Sequence, residues 1–379
     1  MDDKEWNEDF YAKAAAFLAS QDYSQKEIGK ILEASQPTVS RLLAKARSEK
    51  WLVTHCMLDD EEVREIQALT FTDNTALLSA VEKLQLQTRN RIRSVEVVMS
   101  NRKKGSPSVQ QFGDQVAARL ASRIQKTRIT GVAWGKTIAS VATALCSHVT
   151  NRSKESPPVV FFPVCGEPVD FPASGSSAST STNVFDQAVN RSNGRPLSLG
   201  AVAARIPKFL GGSEQGIVRT FIERSQHYQR IFVGTKALIC TADCILTSGG
   251  TFLSRTSDDL WLADILDAER ITHEELSALT IGDLGGALIP RLGLSQAKQA
   301  RLKEITSRWT GMTLEHLCDC SARNVAPAYA GVILIAMGTN KAQVVAEALR
   351  VGCVTQLIVD QSLARELIHI ATTYRPYGV

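Results

Sequence analysis

The chain has 379 residues, 44% of them hydrophobic, and is therefore long enough for two or three domains with a substantial core. Its formal net charge of only +4 excludes a protein that coats nucleic acid through bulk charge. Residues 1–10 (MDDKEWNEDF) lack the apolar stretch of a secretory signal, and the longest apolar run, residues 330–337, is too short to span a bilayer. We therefore expect a cytoplasmic protein that does not enter a membrane.

The eight cysteines are scattered along the chain without the paired spacing of a zinc site. Reduced thiols within a protein core are the simplest interpretation, because disulfides are rare in the cytoplasm. We expect no metal site and no cofactor.

Three helices are predicted at the N-terminal end of the chain. The first covers Glu8–Ser20 and carries an apolar face that would brace the two helices after it. That face is predicted to consist of Phe10, Ala14, Phe17 and Leu18.

A helix-turn-helix is predicted at residues 24–52 (SQKEIGKILEASQPTVSRLLAKARSEKWL). Ser24 can cap the opening turn of the second helix, and Glu27 three residues later completes a capping box. The apolar residues of this helix follow at helical spacing and are Ile28, Ile31 and Leu32. A turn is predicted at Glu33 and Ala34.

The third helix opens with Ser35 or Gln36 as its cap. Pro37 then occupies the first turn, where its missing N–H costs nothing. The stripe predicted to pack on the second helix consists of Val39, Leu42, Leu43 and Ala46. The opposite side is predicted to face outward and consists of Pro37, Thr38, Arg41, Ala44, Lys45 and Ser48.

The outward side of the third helix suits the major groove of DNA, because short polar groups near its start can reach base edges while cations lie near phosphates. Gln36, Thr38 and Arg41 are predicted at bases or adjacent phosphates, and Lys45 and Arg47 at the DNA backbone. The complete predicted set is Gln25, Gln36, Thr38, Ser40, Arg41, Lys45 and Arg47. An ordinary helical hairpin with a solvated cationic face is the alternative.

A helical segment is predicted to follow this DNA-binding domain. Residues 58–69 form an acidic amphipathic stretch, and residues 74–86 repeat apolar residues at helical intervals. These segments serve either as a linker and dimer contact or as helices that pack on the next domain. The predicted domains are a DNA-binding domain at 1–55, a helical linker and dimerisation segment at 56–90, and an effector domain at 91–379.

The remainder of the chain alternates apolar strands with amphipathic helices, which indicates an α/β domain with a Rossmann-like parallel sheet. The small polar residues 171–183 are predicted to form a flexible or ligand-covering loop. The predicted helices are residues 109–124, a helix through Ala144, 344–349 and 362–370. The predicted strands are residues 95–99, 129–134, 159–164, 231–238, 244–247, 332–337 and 356–359.

Open parallel sheets bind ligands at the ends of their strands, where glycine turns let the backbone approach and helix N-termini favour anions. None of the candidate turns is a Walker loop or a dinucleotide fingerprint. They are TGVAWGKT (130–137), PVCGEP (163–168), LTSGGTF (246–252) and MGTNKAQ (337–343).

The order of these motifs resembles the SorC family of bacterial transcriptional regulators. The resemblance rests on the helix-turn-helix, VAWGKT (132–137), IGDLGG (281–286) and the segment from 336 to 368, AMGTNKAQVVAEALRVGCVTQLIVDQSLARELI. It implies a sugar-binding domain related in fold to sugar-phosphate isomerases, which binds a sugar or phosphorylated sugar and controls binding to double-stranded operator DNA. It also implies a homodimer or homotetramer.

The resemblance places Asp243, Lys341 and Asp360 in the effector pocket. Carboxylates accept hydrogen bonds from sugar hydroxyls, and a lysine pairs with phosphate. Strand-end caps or surface acids remain the alternative for the two aspartates. The complete predicted effector set is Trp134, Gly135, Lys136, Gly166, Asp243, Lys341 and Asp360.

Two positions depart from the family pattern. A Gly-Gly-Thr-like phosphate loop is expected after the third strand, but the sequence there reads Gly166, Glu167, Pro168. Glu167 would repel phosphate, and Pro168 lacks an N–H donor. Gln361 stands where the family has an acidic residue.

An enzyme that processes sugar phosphates and carries a DNA-binding appendage is the alternative function. It would require a general base beside the pocket, for which Asp243 or Glu167 is available. The histidines at 148, 227, 273, 316 and 369 have no glycine-rich strand end beside them. The sequence therefore favours a regulator over an enzyme.

Overall fold

The computed structural model divides the chain into two compact units, Met1–Gln67 and Ala68–Val379. The residues that it describes are 8–20, 23–52, 73–86, 88, 90–98, 108–149, 158–166, 178–190, 203–252, 260–323 and 331–373. The amphipathic segment predicted at 58–69 lies outside the described residues.

The first unit contains the three predicted helices, α1 (Glu8–Ser20), α2 (Gln25–Ile31) and α3 (Gln36–Ser48). The capping box of α2 is present: the Ser24 hydroxyl accepts from the Glu27 N–H, and a Glu27 carboxylate oxygen accepts from the Ser24 N–H at 2.8 Å. Ser35 caps α3 and Pro37 lies in its first turn. These caps fix where both helices begin, as the sequence predicts.

The core of the first unit joins the predicted stripe of α3 to small residues of α1. Val39, Leu42, Leu43 and Ala46 are buried, whereas the buried residues of α1 are Ala12, Ala15 and Ala16. The predicted apolar face of α1 is therefore correct only for Leu18, which packs against this core, and wrong for Phe10 and Phe17, which are exposed, Phe17 to 66%. Ile31, at the end of α2, is also exposed. The short alanine side chains let α1 lie close to α3, whereas Phe10 and Phe17 lie on the opposite side of α1.

The turn between α2 and α3 is a close approach of backbone to backbone. The Ala34 N–H donates to the Gly29 carbonyl at 2.9 Å, and Glu33 adopts a left-handed conformation with φ 49°. A Cβ atom on Gly29 would lie 2.7 Å from the Ala34 carbonyl oxygen. Glycine at 29 is therefore required for the tight turn.

The second unit is built on a six-stranded parallel sheet with the order β1-β9-β8-β4-β2-β3. Its architecture confirms the predicted α/β class. The strands are β1 (Ser94–Val98), β2 (Ile129–Val132), β3 (Val160–Pro163), β4 (Cys244–Thr247), β8 (Gly331–Ala336) and β9 (Gln356–Asp360). A smaller antiparallel sheet has the order β5-β6-β7, with β5 (Gly249–Thr251), β6 (Thr280–Leu284) and β7 (Ala287–Pro290).

Helices surround the two sheets. In chain order they are α4 (Asp73–Leu84), α5 (Val109–Gln125), α6 (Lys136–Leu145), α7 (Ala178–Asn190), α8 (Gly212–Arg224), α9 (Gln226–Phe232), α10 (Leu238–Thr241), α11 (Leu260–Glu269), α12 (His273–Ser277), α13 (Gln296–Ser307), α14 (Leu314–Ala322), α15 (Ala342–Val351) and α16 (Gln361–Thr373). A 3-10 turn, Thr339–Lys341, precedes α15.

The parallel sheet is buried on both faces, so its strands are apolar at successive positions. Phe161, Ile333 and Ile358 face a cluster that includes α5, α6 and α7. Their strand neighbours, such as Phe162 and Leu334, belong to the cluster formed with α4, α14, α15, α16 and the small sheet. The result is a three-layer domain in which the turns at the strand ends remain available for a site.

Helix α4 belongs to the second unit and packs on its core. Leu77, Ala80, Val81 and Leu84 are buried in the same cluster as residues of α15 and α16. Of the two roles that the sequence leaves open for residues 74–86, the contacts of α4 match packing on the following domain.

Two sequence predictions in this unit are wrong. Residues 231–238 are not a strand: Ile231 and Leu238 lie on the short helices α9 and α10, separated by a turn with Gly234 at φ 85°. The predicted loop at 171–183 is helical from Ala178 onward, and residues 171–177 lie outside the described residues. Buried Ser181 and Thr182 show that small hydroxyl residues can form a packed helix start as well as a loop.

The described cysteines form no disulfide, and four of them, Cys165, Cys244, Cys320 and Cys353, are buried. Burial raises the pKa of the Cys318 thiol to about 11, which keeps that thiol protonated and unreactive at neutral pH. Every helix that the structure describes is too short or too polar to cross a lipid bilayer.

We predict that Gly29→Ala destabilises the first unit by about 1–3 kcal/mol, because the added Cβ forces the backbone at Ala34 to move. Hydrogen exchange of the amides in residues 25–48 measures this effect. Gly216→Ala is the control: nothing lies within 4 Å of its added Cβ on α8, and the change should stabilise the protein by up to about 1 kcal/mol. Equal protection of residues 25–48 in wild type and Gly29→Ala would contradict the packing described for the turn.

Candidate functional site

The DNA-facing candidates lie on one side of α3 and at the start of α2. Among them Gln36, Ser40 and Arg47 are exposed, whereas Gln25 and Thr38 are partly buried. The Thr38 hydroxyl is 2.8 Å from that of Ser35. The third helix therefore presents polar groups and cations on the face opposite its buried stripe.

The two central cations of this face differ in their surroundings. The Arg41 side chain is 71% exposed, and one of its nitrogens lies 3.7 Å from Glu8 of α1. The Lys45 side chain is only 30% exposed, and its ammonium lies 2.6 Å from Asp9 and 3.5 Å from Glu8. A hydrogen bond from Lys45 lowers the pKa of the Asp9 carboxyl, so the pair is charged at neutral pH.

The second candidate site lies where the parallel strands of the large sheet end. Residues 133–136 follow β2, Ser248 follows β4, and the turn from Met337 to Lys341 follows β8. A Cβ on Gly135, which has φ 121°, would lie 3.0 Å from the Ser248 hydroxyl oxygen. The turns after β2 and β4 are therefore neighbours at this carboxyl edge.

Asp360, the last residue of β9, organises the turn after β8. One oxygen of its buried carboxylate accepts from the Gly338 N–H at 2.8 Å, and the other accepts from the Ser362 hydroxyl. Gly338 has φ 92°, a conformation that favours glycine. The carboxylate therefore holds the turn that delivers Lys341 to the edge of the sheet.

Lys341 ends the 3-10 turn at the start of α15 and is partly buried. Desolvation lowers the pKa of its ammonium, while the nearby charges of Asp283 and Asp360 raise it in part. A partly dehydrated cation of this kind gains from an added anion, because the anion stabilises its charged form.

Asp283 of β6, which was not among the predicted effector residues, carries one of the charges that act on Lys341. Its carboxylate is buried and accepts from the Gly286 N–H at 2.7 Å. A Cβ on Gly250 of the neighbouring strand would lie 2.4 Å from an Asp283 oxygen, so glycine there makes space for the acid. The motif IGDLGG (281–286), in which an acidic residue precedes a Gly-Gly turn, is the sequence feature that could have identified Asp283.

Trp134 follows β2 as predicted, but its indole belongs to a buried aromatic cluster. Its ring centroid lies 4.7 Å from that of Trp261 and 6.3 Å from that of Trp309. The guanidinium of Arg205 lies over the other two rings. Lys136, at the first position of α6, is exposed. The Trp134 indole therefore packs in the core next to the turn that follows β2.

Gly166 is buried behind β3 rather than open to a ligand. A Cβ there would lie 1.4 Å from the carbonyl oxygen of Ala203, so the position requires glycine because two backbone segments touch. Glu167 and Pro168, the residues that depart from the family pattern, lie outside the described residues.

Asp243 lies at the opposite edge of the sheet from Lys341 and Asp360. It precedes β4, and its carboxylate accepts from the Arg128 N–H at 2.7 Å and the Ile129 N–H at 3.1 Å at the start of β2. The length of β4, about 13 Å for its four residues, separates it from the carboxyl edge. This geometry is that of a strand-end cap, the alternative that the sequence leaves open for Asp243.

Comparison with known proteins supports the predicted resemblance. Residues 76–195 match a family model described as "Putative sugar-binding domain". The comparison with curated proteins finds no match.

Solved structures of bacterial regulators share the fold. The full-length sorbitol operon regulator SorC from Klebsiella pneumoniae is 19% identical, with a TM-score of 0.55 over 95% of this chain and 99% of that one. A transcriptional regulator from Streptococcus pneumoniae is 16% identical, with a TM-score of 0.55, and the match covers 79% of this chain and 97% of that one. A DeoR-family transcriptional regulator from Listeria monocytogenes is 14% identical, with a TM-score of 0.52, and the match covers 78% of this chain and 99% of that one. The chain therefore has the SorC-type architecture, and the resemblance is confirmed at the level of the fold.

We predict that Asp243→Ala lowers the free energy of unfolding by about 1–3 kcal/mol, because two backbone N–H groups lose their acceptor. Urea denaturation measures the loss. Asp319→Ala, which removes an exposed acid from α14, should leave stability within about 0.5 kcal/mol of wild type. Unchanged stability in Asp243→Ala would show that the carboxylate does not brace β2.

Proposed function

We propose that this protein is a DNA-binding transcriptional regulator of the SorC type whose operator binding is modulated by a sugar or phosphosugar. The proposal is carried by one observation: a chain with an exposed cationic helix α3 also has a partly buried lysine, Lys341, whose charge interacts with those of Asp283 and Asp360, within a domain that matches a sugar-binding family model in part. In this proposal helix α3 reads DNA, and the residues Lys341, Asp283 and Asp360 bind the metabolite that controls DNA binding.

The DNA-binding part rests on α3. Its cap and proline fix the start of the helix, and its buried stripe leaves Gln36, Ser40, Arg41 and Arg47 exposed on the other side. Arg41 at the centre of this face can reach a base edge or a phosphate, and an arginine makes bidentate bonds with guanine. One such helix covers few base pairs, so a homodimer or homotetramer that reads two half-sites remains our prediction.

The effector part rests on Lys341, Asp283 and Asp360. Lys341 would bind the phosphate or another anionic group, and the aspartates would accept hydrogen bonds from sugar hydroxyls. Gly135 and Lys136 at the start of α6 would line the same edge, where the helix N-terminus favours negative charge. Trp134 would shape the site through the aromatic cluster, and Asp243 and Gly166 would act on the fold instead.

A ligand bound at this cluster regulates operator binding only if it binds the two states of the protein with different affinity. Ligand and operator must then change each other's affinity by the same factor. An effector that binds tightly without altering operator affinity would contradict the proposed coupling.

We expect no turnover of the ligand. The described histidines that have partners are used in structure: His148 pairs with Asp114, His273 bonds the Phe252 carbonyl, and His316 bonds Thr313. Burial lowers the pKa of His316, which favours its neutral form. Conversion of a sugar phosphate by the purified protein would favour the enzyme alternative.

We predict that Arg41→Ala weakens specific DNA binding by about 1–3 kcal/mol, the range for a lost base contact. Duplexes selected from a random library by the wild-type protein provide the probe, and fluorescence anisotropy measures the affinity. Arg365→Ala, which removes an exposed cation from α16 of the second unit, is the matched control and should bind like wild type. Equal affinity of Arg41→Ala and wild type would show that α3 does not read DNA.

We predict that Lys341→Met abolishes the thermal stabilisation produced by a phosphosugar, whereas Lys298→Met on an exposed face of α13 retains it. The same ligand should bind wild type less tightly as the pH is raised through the lowered pKa of Lys341, because only the ammonium form pairs with the anion. Calorimetry over a pH series measures this decline, and Lys341→Met should lose it. A ligand that still stabilises Lys341→Met would place the anion elsewhere.

A further inference from the structure

Two acidic residues in the first turn of α1 contact the cations that α3 offers to DNA. Asp9 lies 2.6 Å from the Lys45 ammonium, and Glu8 lies 3.5 Å from it and 3.7 Å from Arg41. The pairing is unequal, because Lys45 has two acidic neighbours and is 30% exposed while Arg41 has one distant neighbour. The Lys45 ammonium is therefore partly withheld from the DNA-facing surface.

We propose that Glu8 and Asp9 are specificity-determining residues, which hold Lys45 away from the phosphates of non-operator DNA. The proposal rests on the function proposed for α3. Non-specific binding is almost entirely electrostatic, so each cation held by an acid removes one phosphate contact from it. Specific binding also gains base contacts, and it can therefore tolerate the loss of a phosphate contact better.

The packing of α1 on α3 brings Glu8 and Asp9 next to the cations of α3. Ala12, Ala15 and Ala16 are buried, and the short side chains bring α1 close to α3. Glu8 and Asp9, one turn before this alanine face, then lie beside Arg41 and Lys45, which are themselves one turn apart on α3. The hydrogen bond that the Lys45 ammonium donates to the Asp9 carboxylate raises the pKa of Lys45, so the contact persists through the neutral pH range.

Acidic residues in the first turn of a helix also have an ordinary role, because they interact favourably with the helix dipole. That role affects the stability of α1 and does not alter how affinity for DNA depends on salt. The two roles are therefore distinguished by a salt titration, in which each released phosphate contact changes the slope of log K against log salt by about 0.9.

The test compares Asp9→Asn, Glu49→Gln and wild type as full-length proteins. Glu49→Gln is the matched control, since it removes one exposed negative charge that has no ion-pair partner among the described residues of the first unit. Fluorescence anisotropy measures affinity for a 30-base-pair random duplex and for a duplex selected by the wild type, at salt concentrations between about 50 and 200 mM.

We expect Asp9→Asn to bind the random duplex more tightly than either wild type or Glu49→Gln. Its affinity should also fall about 3.5-fold more across that salt range, which corresponds to one added phosphate contact. The ratio of selected to random affinity should decrease. In Asp9→Asn/Lys45→Met the salt slope should return to that of Lys45→Met, because Asp9 acts through Lys45.

A salt slope for Asp9→Asn equal to that of Glu49→Gln overturns the proposal, as does weaker binding of the random duplex. Glu8→Gln, which should give a smaller change in the same direction, replaces Asp9→Asn if circular dichroism shows that the latter is unfolded. Failure of the wild type to select any duplex would instead refute the proposed DNA-binding function, and the inference with it.

Discussion

The bond from the Gly338 N–H to the Asp360 carboxylate is the contact on which the proposed effector site around Lys341 depends. It joins the ends of two neighbouring parallel strands and fixes the left-handed glycine turn that follows β8. That turn leads directly to Lys341, the residue that precedes α15. Since α15 packs its apolar face on the small sheet and the core, the lysine is held where water has limited access.

The surroundings of Lys341 and Lys45 shift the pKa values of their ammonium groups in opposite directions. Desolvation lowers the pKa of Lys341, and an incoming anion would stabilise its charged form. Lys45 is near the surface and is paired with Asp9, which raises its pKa. The first arrangement suits a small ligand that must be bound tightly, and the second suits a polyanion whose non-specific attraction must be limited.

The small sheet supplies the remaining acid of the cluster. Asp283 reaches the neighbourhood of Lys341 because α15 packs across the small sheet, with Val344 near Gly249 and Gly282. A Cβ on Gly282 would lie 3.1 Å from a Val344 methyl carbon and 2.0 Å from the Gly250 carbonyl oxygen. Glycines at these positions therefore allow the strands and the helix to approach closely enough to place an acid beside the lysine.

The sequence by itself determined what depends on near neighbours in the chain. Capping at Ser24 and Ser35, the stripe of α3, the parallel strands, and Lys341 at a strand end all follow from spacings of a few residues, since helices and strands have fixed periods. The position of Asp243 was also predictable in principle, because a residue that precedes a parallel strand lies at the amino edge.

Only the tertiary structure decided which distant segments meet. It brought Asp283 near enough for its charge to act on Lys341 and put Trp134 into an aromatic cluster. It also packed the alanines of α1 on α3 and so set Asp9 against Lys45. None of these contacts has a local period, because each depends on how separate elements pack. The helical periodicity of α1 allowed either its phenylalanines or its alanines to be buried, and the close approach of α3 selected the smaller side chains.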